Sequence, residues 1–413
     1  MNIPFLPEKA DIDAAFVSDI SAQIISSGRL SDGEFRKALE LDLARETGMS
    51  YCLTAASVDS ALLNLLISWS FSSHDAVFIS ALSPPFVVSC VLNAGAVPVY
   101  CDIGHNTPFV KAQAIERAVQ RCIEKDKFYP RAVILSDMFG IPAPCGDIAD
   151  ICNEYGLLLI HNASLSWAAG GGICNGGTVN EGRSGDAASE GSGNGSAAGG
   201  KRGDRISPPL SDAVVMDLSY PSPLSSFGSA AAVLTSNETT YRNLKGLEHY
   251  GVVAFVNSST PSNGNLGLLK YTQNSIPDEL TCAVVGHNLL SLGSKIERKA
   301  AIAAAYRKAL SRSGMRPQLP PPKTPSSYEY FAVKAQSTQR CTEAVCQLRE
   351  SGVEARTMPE EYLKLLPAFK RLRHTENFLE NAVEFYSSSF FLPVYHSLSD
   401  AQVEYICDVC GRI

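Results

Sequence analysis

The chain has 413 residues, 45% of them apolar and 19% charged, proportions ordinary for a globular protein and a length beyond what one hydrophobic core usually supports. No run approaches the ~20 consecutive apolar residues of a membrane helix, and the opening MNIPFLPEKADID has neither a basic nor an apolar leader region. A formal charge of −7 with both signs interspersed argues against a surface that neutralises nucleic-acid or membrane phosphates, so cytoplasmic small-molecule or protein partners are expected.

Short β-rich apolar runs alternate with helical patterns over the first 240 residues. Strands are predicted at 51–55, 76–80, 97–101, 131–137, 157–161, 213–219 and 230–236. Several are apolar throughout, as expected of a parallel sheet covered on both faces. Helices are predicted at 58–69, from Ser83-Pro84-Pro85-Phe86 onward, at 110–124, and at 147–155, where an acidic residue opens the element and Gly156 stops it. The pattern is α/β.

Residues 278–311 carry apolar positions at helical spacing with basic residues toward the end, enough for one long helix or two. The prolines of PQLPPPKTP (317–325) then interrupt the chain. YEYFAVKA, GVEARTM and an amphipathic segment from Ser399 suffice for a small α+β domain. The expected division is a large α/β domain over 1–250, then a long-helix connection and a small C-terminal domain over 251–413.

Residues 170–205 hold 13 of the 31 glycines and almost nothing that could form a core, so a flexible insertion between two strands is expected. They match neither a dinucleotide fingerprint nor a P-loop. The 12 cysteines are scattered in apolar surroundings and read as small buried hydrophobes in a reducing compartment. Cys407 and Cys410 have metal or redox spacing, but no second pair or histidine cluster accompanies them, so no metal is expected.

The order of SSGRLSDGEFRKALELDLARETG, AASVDSALLNLLI, LSPPFVVSCVLNAGAVPVYCDI, MFGIPAPCGDI, LLLIHNASLSWAAGG, DLSYPSPLSSFGSAAAVLTSN, NLKGLEHYG and QNSIPDELTCAVVGHNLLSLGSKIERKAAIAAAY resembles the DegT/DnrJ/StrS-type nucleotide-sugar aminotransferases. That resemblance implies a fold-type I architecture, a large mostly parallel seven-stranded domain with a small C-terminal α+β domain. It also implies pyridoxal phosphate (PLP), a sugar nucleotide as ligand, and a dimer.

The chemistry departs from the family at three places. The family holds PLP as a Schiff base on a lysine. Alignment puts Pro223 there, a shift of one residue offers only Ser222 or Leu224, and no lysine lies between Lys201 and Lys245. The aspartate that keeps the pyridine nitrogen protonated is replaced by Asn162, which can hydrogen-bond but carries no charge; its other reading is a local turn closing a strand end. The phosphate turn is Ser57-Val58-Asp59, where a carboxylate meets the phosphate; at ~4 Å and an effective dielectric near 20 each like-charge pair costs about 4 kcal/mol. Asp59 reads equally as helix-start chemistry.

Two matching positions survive: Phe86, where the family stacks an aromatic on the pyridine ring, and Asn274, an asparagine the family gives to a neighbouring subunit's cofactor phosphate. Cofactor contacts are therefore expected from Ser57, Phe86, Asn162 and Asn274, with no catalytic residue. His161, beside Asn162, reads as a structural histidine. The expectation is a degenerate family member that binds a sugar nucleotide or an active homologous subunit as homodimer or heterodimer. The alternative is an active sugar aminotransferase with a non-standard lysine; a third reading is a structural protein whose glycine-rich loop recruits partners.

Overall fold

The computed structural model describes residues 1–9, 11–166, 210–222, 224–249, 251–255, 265–268, 272–321, 324–358 and 379–413; the glycine-rich segment and Pro223 lie outside them. The apolar runs become strands β1 (Tyr51–Ala55), β2 (Asp75–Ser80), β3 (Val97–Cys101), β4 (Tyr129–Ser136), β5 (Leu158–Asn162), β6 (Ala213–Asp217) and β7 (Ala231–Thr235). They form one sheet, ordered β1-β7-β6-β5-β4-β2-β3. Neighbours are parallel except where β7 runs against β1 and β6. Phe78, Val133, Val214 and Leu234 pack on one face, and Val77, Ile134, Val215 and Val233 on the other. Burial on both sides is why these strands carry no polar alternation.

The helices begin and end where local chemistry allows. Asp13 caps α1 (Ala14–Ser27), and Gly28 and Gly48 close α1 and α2 (Glu34–Thr47) in the left-handed region. The first turn of α2 is capped from a distance: the Glu279 carboxylate accepts from the backbone N–H groups of Gly33 (2.8 Å), Phe35 (2.8 Å) and Arg36 (3.2 Å). Arg36 is fully buried and joins Asp32 (2.8 Å), Glu40 (3.0 Å), Glu248 and Thr54, tying α2 to β1. Between the strands run α3 (Val58–Ser68), α4 (Pro85–Asn93), α5 (Ala112–Glu124), α6 (Gly146–Tyr155) and α7 (Glu238–Leu247). Pro85 opens α4, where its missing N–H costs nothing.

The segment that left one helix or two open is a single 31-residue helix, α8 (Glu279–Ala309). Its Cys282, Val285 and Leu292 pack in the large core; its Ile302, Ala303 and Tyr306 pack in a second one. Past the short pair β8 (Val252–Phe255) and β9 (Asn265–Leu268), β10 (Arg316–Pro317), β11 (Phe331–Lys334), β12 (Arg356–Thr357) and β13 (Ser389–Leu392) form an antiparallel sheet ordered β10-β11-β13-β12. Helix α9 (Thr338–Glu350) and helices Glu380–Ser387 and Asp400–Cys410 complete this part. Ile3 joins the second core and pairs with Val353.

Cys410 is buried in that core one turn from Cys407. Among the described residues no group of three or more His, Cys, Asp or Glu side chains is placed to hold a metal. No described helix is long and apolar enough to cross a membrane.

Candidate functional site

Polar residues just beyond the carboxyl ends of parallel strands face a common crevice, the usual ligand position in an open α/β sheet. Here a cavity of about 320 Å3 opens there, with Phe86, Asp137, Asn162 and Asp217 on the large-sheet side and Tyr330 and Arg356 from the second core's side. The turn after β4 brings the two sides together. Gly140 has φ +89°, and a Cβ there would stand 2.6 Å from the Glu329 backbone nitrogen, so only glycine lets residues 326–330 approach. Ser326 Oγ (2.8 Å) and the Ser327 N–H (2.9 Å) donate to the Gly140 carbonyl. Phe139, itself at φ +61°, packs edge-on to Phe391 at a centroid separation of 5.3 Å.

Phe86 and Asn162 line this cavity; Ser57 and Asn274 do not. Ser57 caps α3 by a reciprocal box: its Oγ accepts from the Ser60 N–H (3.2 Å), and Ser60 Oγ accepts from the Ser57 N–H (3.1 Å). Asn274 is exposed, next to Ser275, whose carbonyl accepts from the Ala56 N–H at 2.7 Å. Phe86 is half-buried in the first turn of α4.

Asn162 is 3% exposed and its amide is already engaged. Its Oδ1 accepts from Ser164 Oγ (2.6 Å), and its Nδ2 donates weakly to Ser136 Oγ (3.3 Å). This is the local-turn role open to an asparagine at a strand end. His161 is fully buried and meets Asp137 Oδ1 at 2.6 Å. Burial disfavours the charged ring, but the Asp137 carboxylate outweighs that and raises its pKa. Asp137 also accepts from the Ala143 N–H (2.8 Å) and the Ser166 hydroxyl. The pair holds the ends of β4 and β5 together.

Acidic side chains collect at the start of α3 and the end of β6. Asp59, in the first turn of α3, has its carboxyl held above the usual range, first by partial burial and then by the charge of Asp217. Asp217 closes β6 and accepts from the Ser219 N–H at 2.9 Å. Among the described residues neither carboxylate has a basic partner within 4 Å.

Beyond β6 the chain turns under α8. Asn288 Nδ2 donates to the carbonyls of Leu224 (2.8 Å) and Ser225 (2.9 Å), and Leu224 is wholly buried in the large core. Among the described residues Ser222 Oγ is buried with no hydrogen-bond partner, beside a smaller cavity of about 60 Å3 that Lys295 and Lys299 of α8 also line. Lys299 pairs with Glu329 at 2.7 Å and Lys295 with Asp11. Pro223 itself is not among the described residues.

Sequence reasoning did not single out Asp137, Asp217, Tyr330 or Arg356 for the site. The position of a polar residue within the last few positions of a predicted parallel strand was a usable signal for the first two. Nothing in local spacing marks the last two.

Comparison with known proteins agrees with this architecture. The family model described as the DegT/DnrJ/EryC1/StrS aminotransferase family matches residues 11–186 and 220–410. The L-glutamine:2-deoxy-scyllo-inosose aminotransferase of Streptomyces lividus is 28% identical over 163 residues, 38% of this chain and 37% of that protein. The chain thus matches little more than a third of that relative's length. The dTDP-3-amino-3,4,6-trideoxy-alpha-D-glucose transaminase of Micromonospora megalomicea subsp. nigra is 22% identical over 72% of this chain and 66% of its own. A crystal structure of a DegT DnrJ EryC1 StrS aminotransferase from Brucella abortus superposes with a TM-score of 0.77 at 20% identity, covering 96% of this chain and 94% of that one.

Proposed function

The chain belongs to the DegT/DnrJ/EryC1/StrS aminotransferase family, and from that premise we propose that it is a member that keeps the fold and the ligand cavity but does not carry out PLP catalysis. The observation that carries this reading is the turn after β6. No lysine lies between Lys201 and Lys245, and Leu224, beside the matched position, is sealed in the apolar core. Lysine-linked PLP does not fit the remaining residues either. The Asn162 amide is spent on its own turn, and Asp59 and Asp217 bring negative charge to the place of the phosphate.

The ligand on this reading is a sugar or sugar nucleotide, the class named for the Micromonospora relative, or the cavity serves an active homologue that pairs with this chain. A homodimer or such a heterodimer in the cytoplasm is part of the proposal, in keeping with described cysteines that are all unpaired. So is the division into a large domain over 1–250 and a smaller C-terminal part over 251–413. Incubation with PLP, glutamate and a keto-sugar nucleotide is expected to release no 2-oxoglutarate above background; turnover would overturn the reading.

A second reading, an active aminotransferase with a lysine from elsewhere, is favoured by Lys295 and Lys299, which reach the turn of Ser222 from α8. Both are held in ion pairs. Activity abolished by Lys299→Ala or Lys295→Ala would establish it.

A further inference from the structure

β3 is an edge strand of the large sheet, and beside it a groove of about 690 Å3 runs between α5 and the turn at Asp102 to His105, with Asn381 at its side. It shares no lining residue with the crevice cavity. Lys111, Arg117 and Arg121 line it, with the exposed His105 ring, against two carboxylates, Asp102 and Glu124. The groove is thus opposite in sign to the chain as a whole, whose net charge is −7.

Neither carboxylate is paired with those cations. Asp102 is spent as a helix cap: its Oδ1 accepts from the Ile103 (2.9 Å) and Ala382 (3.0 Å) N–H groups, and its Oδ2 from the Asn381 N–H (3.1 Å) and Nδ2 (3.1 Å). Glu124 is the last residue of α5, and among the described residues no ion pair joins it to Lys111, Arg117 or Arg121.

The two arginines are aimed by their own helix. Arg117 Nε donates to the Gln113 carbonyl (3.1 Å), and Arg121 Nε to the Arg117 carbonyl (3.1 Å). Each bond fixes one edge of a guanidinium against α5 and leaves both Nη groups without a protein partner among the described residues. Positions four apart share a helix face about 6 Å apart along the axis, so two guanidinium forks stand in line. The Lys111 side chain leans onto the turn: a Cβ on Gly104 would stand 2.6 Å from its Cε. A guanidinium fork matches a phosphoryl group and an ammonium adds a point charge, so one phosphoryl group engages one fork and a linked run of them reaches both.

We propose that this groove is a second ligand site, which binds a small oligophosphate anion without a covalent bond, its phosphoryl groups on Arg117 and Arg121 and its end toward Lys111. A long polyanion is disfavoured, because the net negative surface beyond the groove repels it.

The test is titration calorimetry of the full chain, in magnesium-free buffer of low ionic strength, with inorganic monophosphate, diphosphate and triphosphate and with ATP. Triphosphate should bind tenfold or more tighter than monophosphate. ATP binding as tightly as triphosphate would support a phosphoryl run carried on a nucleoside, and weaker ATP a free one. Arg117→Gln and Arg121→Gln, at exposed helix positions that glutamine tolerates, should each weaken triphosphate fivefold or more, whereas Arg312→Gln, exposed outside the groove, should leave it unchanged. Equal affinity for monophosphate and triphosphate overturns the proposal, as does triphosphate binding untouched by both groove substitutions or weakened as much by Arg312→Gln. A single-stranded oligonucleotide that displaces triphosphate at a lower phosphate concentration overturns it in favour of a polymer. Because groove and crevice share no residue, a PLP adduct trapped on a lysine would overturn the non-catalytic reading and leave this proposal standing.

Discussion

His161→Leu removes one member of a pair whose two side chains are both fully buried at 2.6 Å. Taking one partner from a buried pair costs about 3–5 kcal/mol, against about 0–1 kcal/mol for an exposed one. Asp137 would keep the Ala143 N–H at 2.8 Å and the Ser166 hydroxyl, so the lower end, about 3 kcal/mol, is expected. The assay is urea unfolding with the midpoint read at unchanged slope. The effect also has a pH signature. The ring's pKa is raised in the folded chain, so the pair's contribution is fully present below the unfolded value of about 6.5 and fades as pH climbs through the higher folded value. The gap between wild type and variant should therefore be wider at about pH 5.5 than at about pH 9. A loss under about 1 kcal/mol, or a gap that widens with pH, would refute the assignment of this pair as the strand-end brace.

Other outcomes follow from burial and capping. Leu224→Ala empties a fully buried site and should cost about 2–5 kcal/mol in the same unfolding assay. Leu224→Lys should destabilise further and still give no PLP adduct, because the side chain lies in the apolar core rather than the cavity. Glu279→Ala leaves three backbone donors of α2 without their acceptor and should cost about 1–3 kcal/mol. Among the described cysteines, brief iodoacetamide treatment of the native chain should modify exposed Cys346 first, read by peptide mapping. Cys101, Cys152 and Cys410, whose thiols burial pushes up to about 12, should be spared until the chain unfolds.

The large sheet was legible because burial on both faces writes each strand as an apolar run, and all seven predicted runs are strands. Their ends shifted by a residue or two: the run predicted at 157–161 is Leu158–Asn162, and 213–219 stops at Asp217, where Ser219 turns the chain back onto its carboxylate. Whether 278–311 held one helix or two was not legible. Gly286 and Gly293 lie inside it, and continuity is fixed by packing against two separate cores, which no local pattern records.

At the site, the turn-forming role of Asn162 and the helix-start role of Ser57 could be read from their neighbours, because both bonds are local. Three other features were hidden: the pairing of Asp137 with His161, the approach of Asp217 to Asp59, and the arrival of Arg356 across the cavity. Each is set by strand order and by the contact of residues 326–330 with Gly140, not by spacing along the chain.

The central claim is that this chain does not hold PLP on a lysine. The direct measurement is an absorbance titration of the purified protein with PLP, then borohydride reduction and mass analysis of its peptides. The account predicts no Schiff-base band and no pyridoxyl-lysine. A band trapped on a single lysine, above all Lys295 or Lys299 behind the Ser222 turn, would contradict it and name the residue that sustains catalysis.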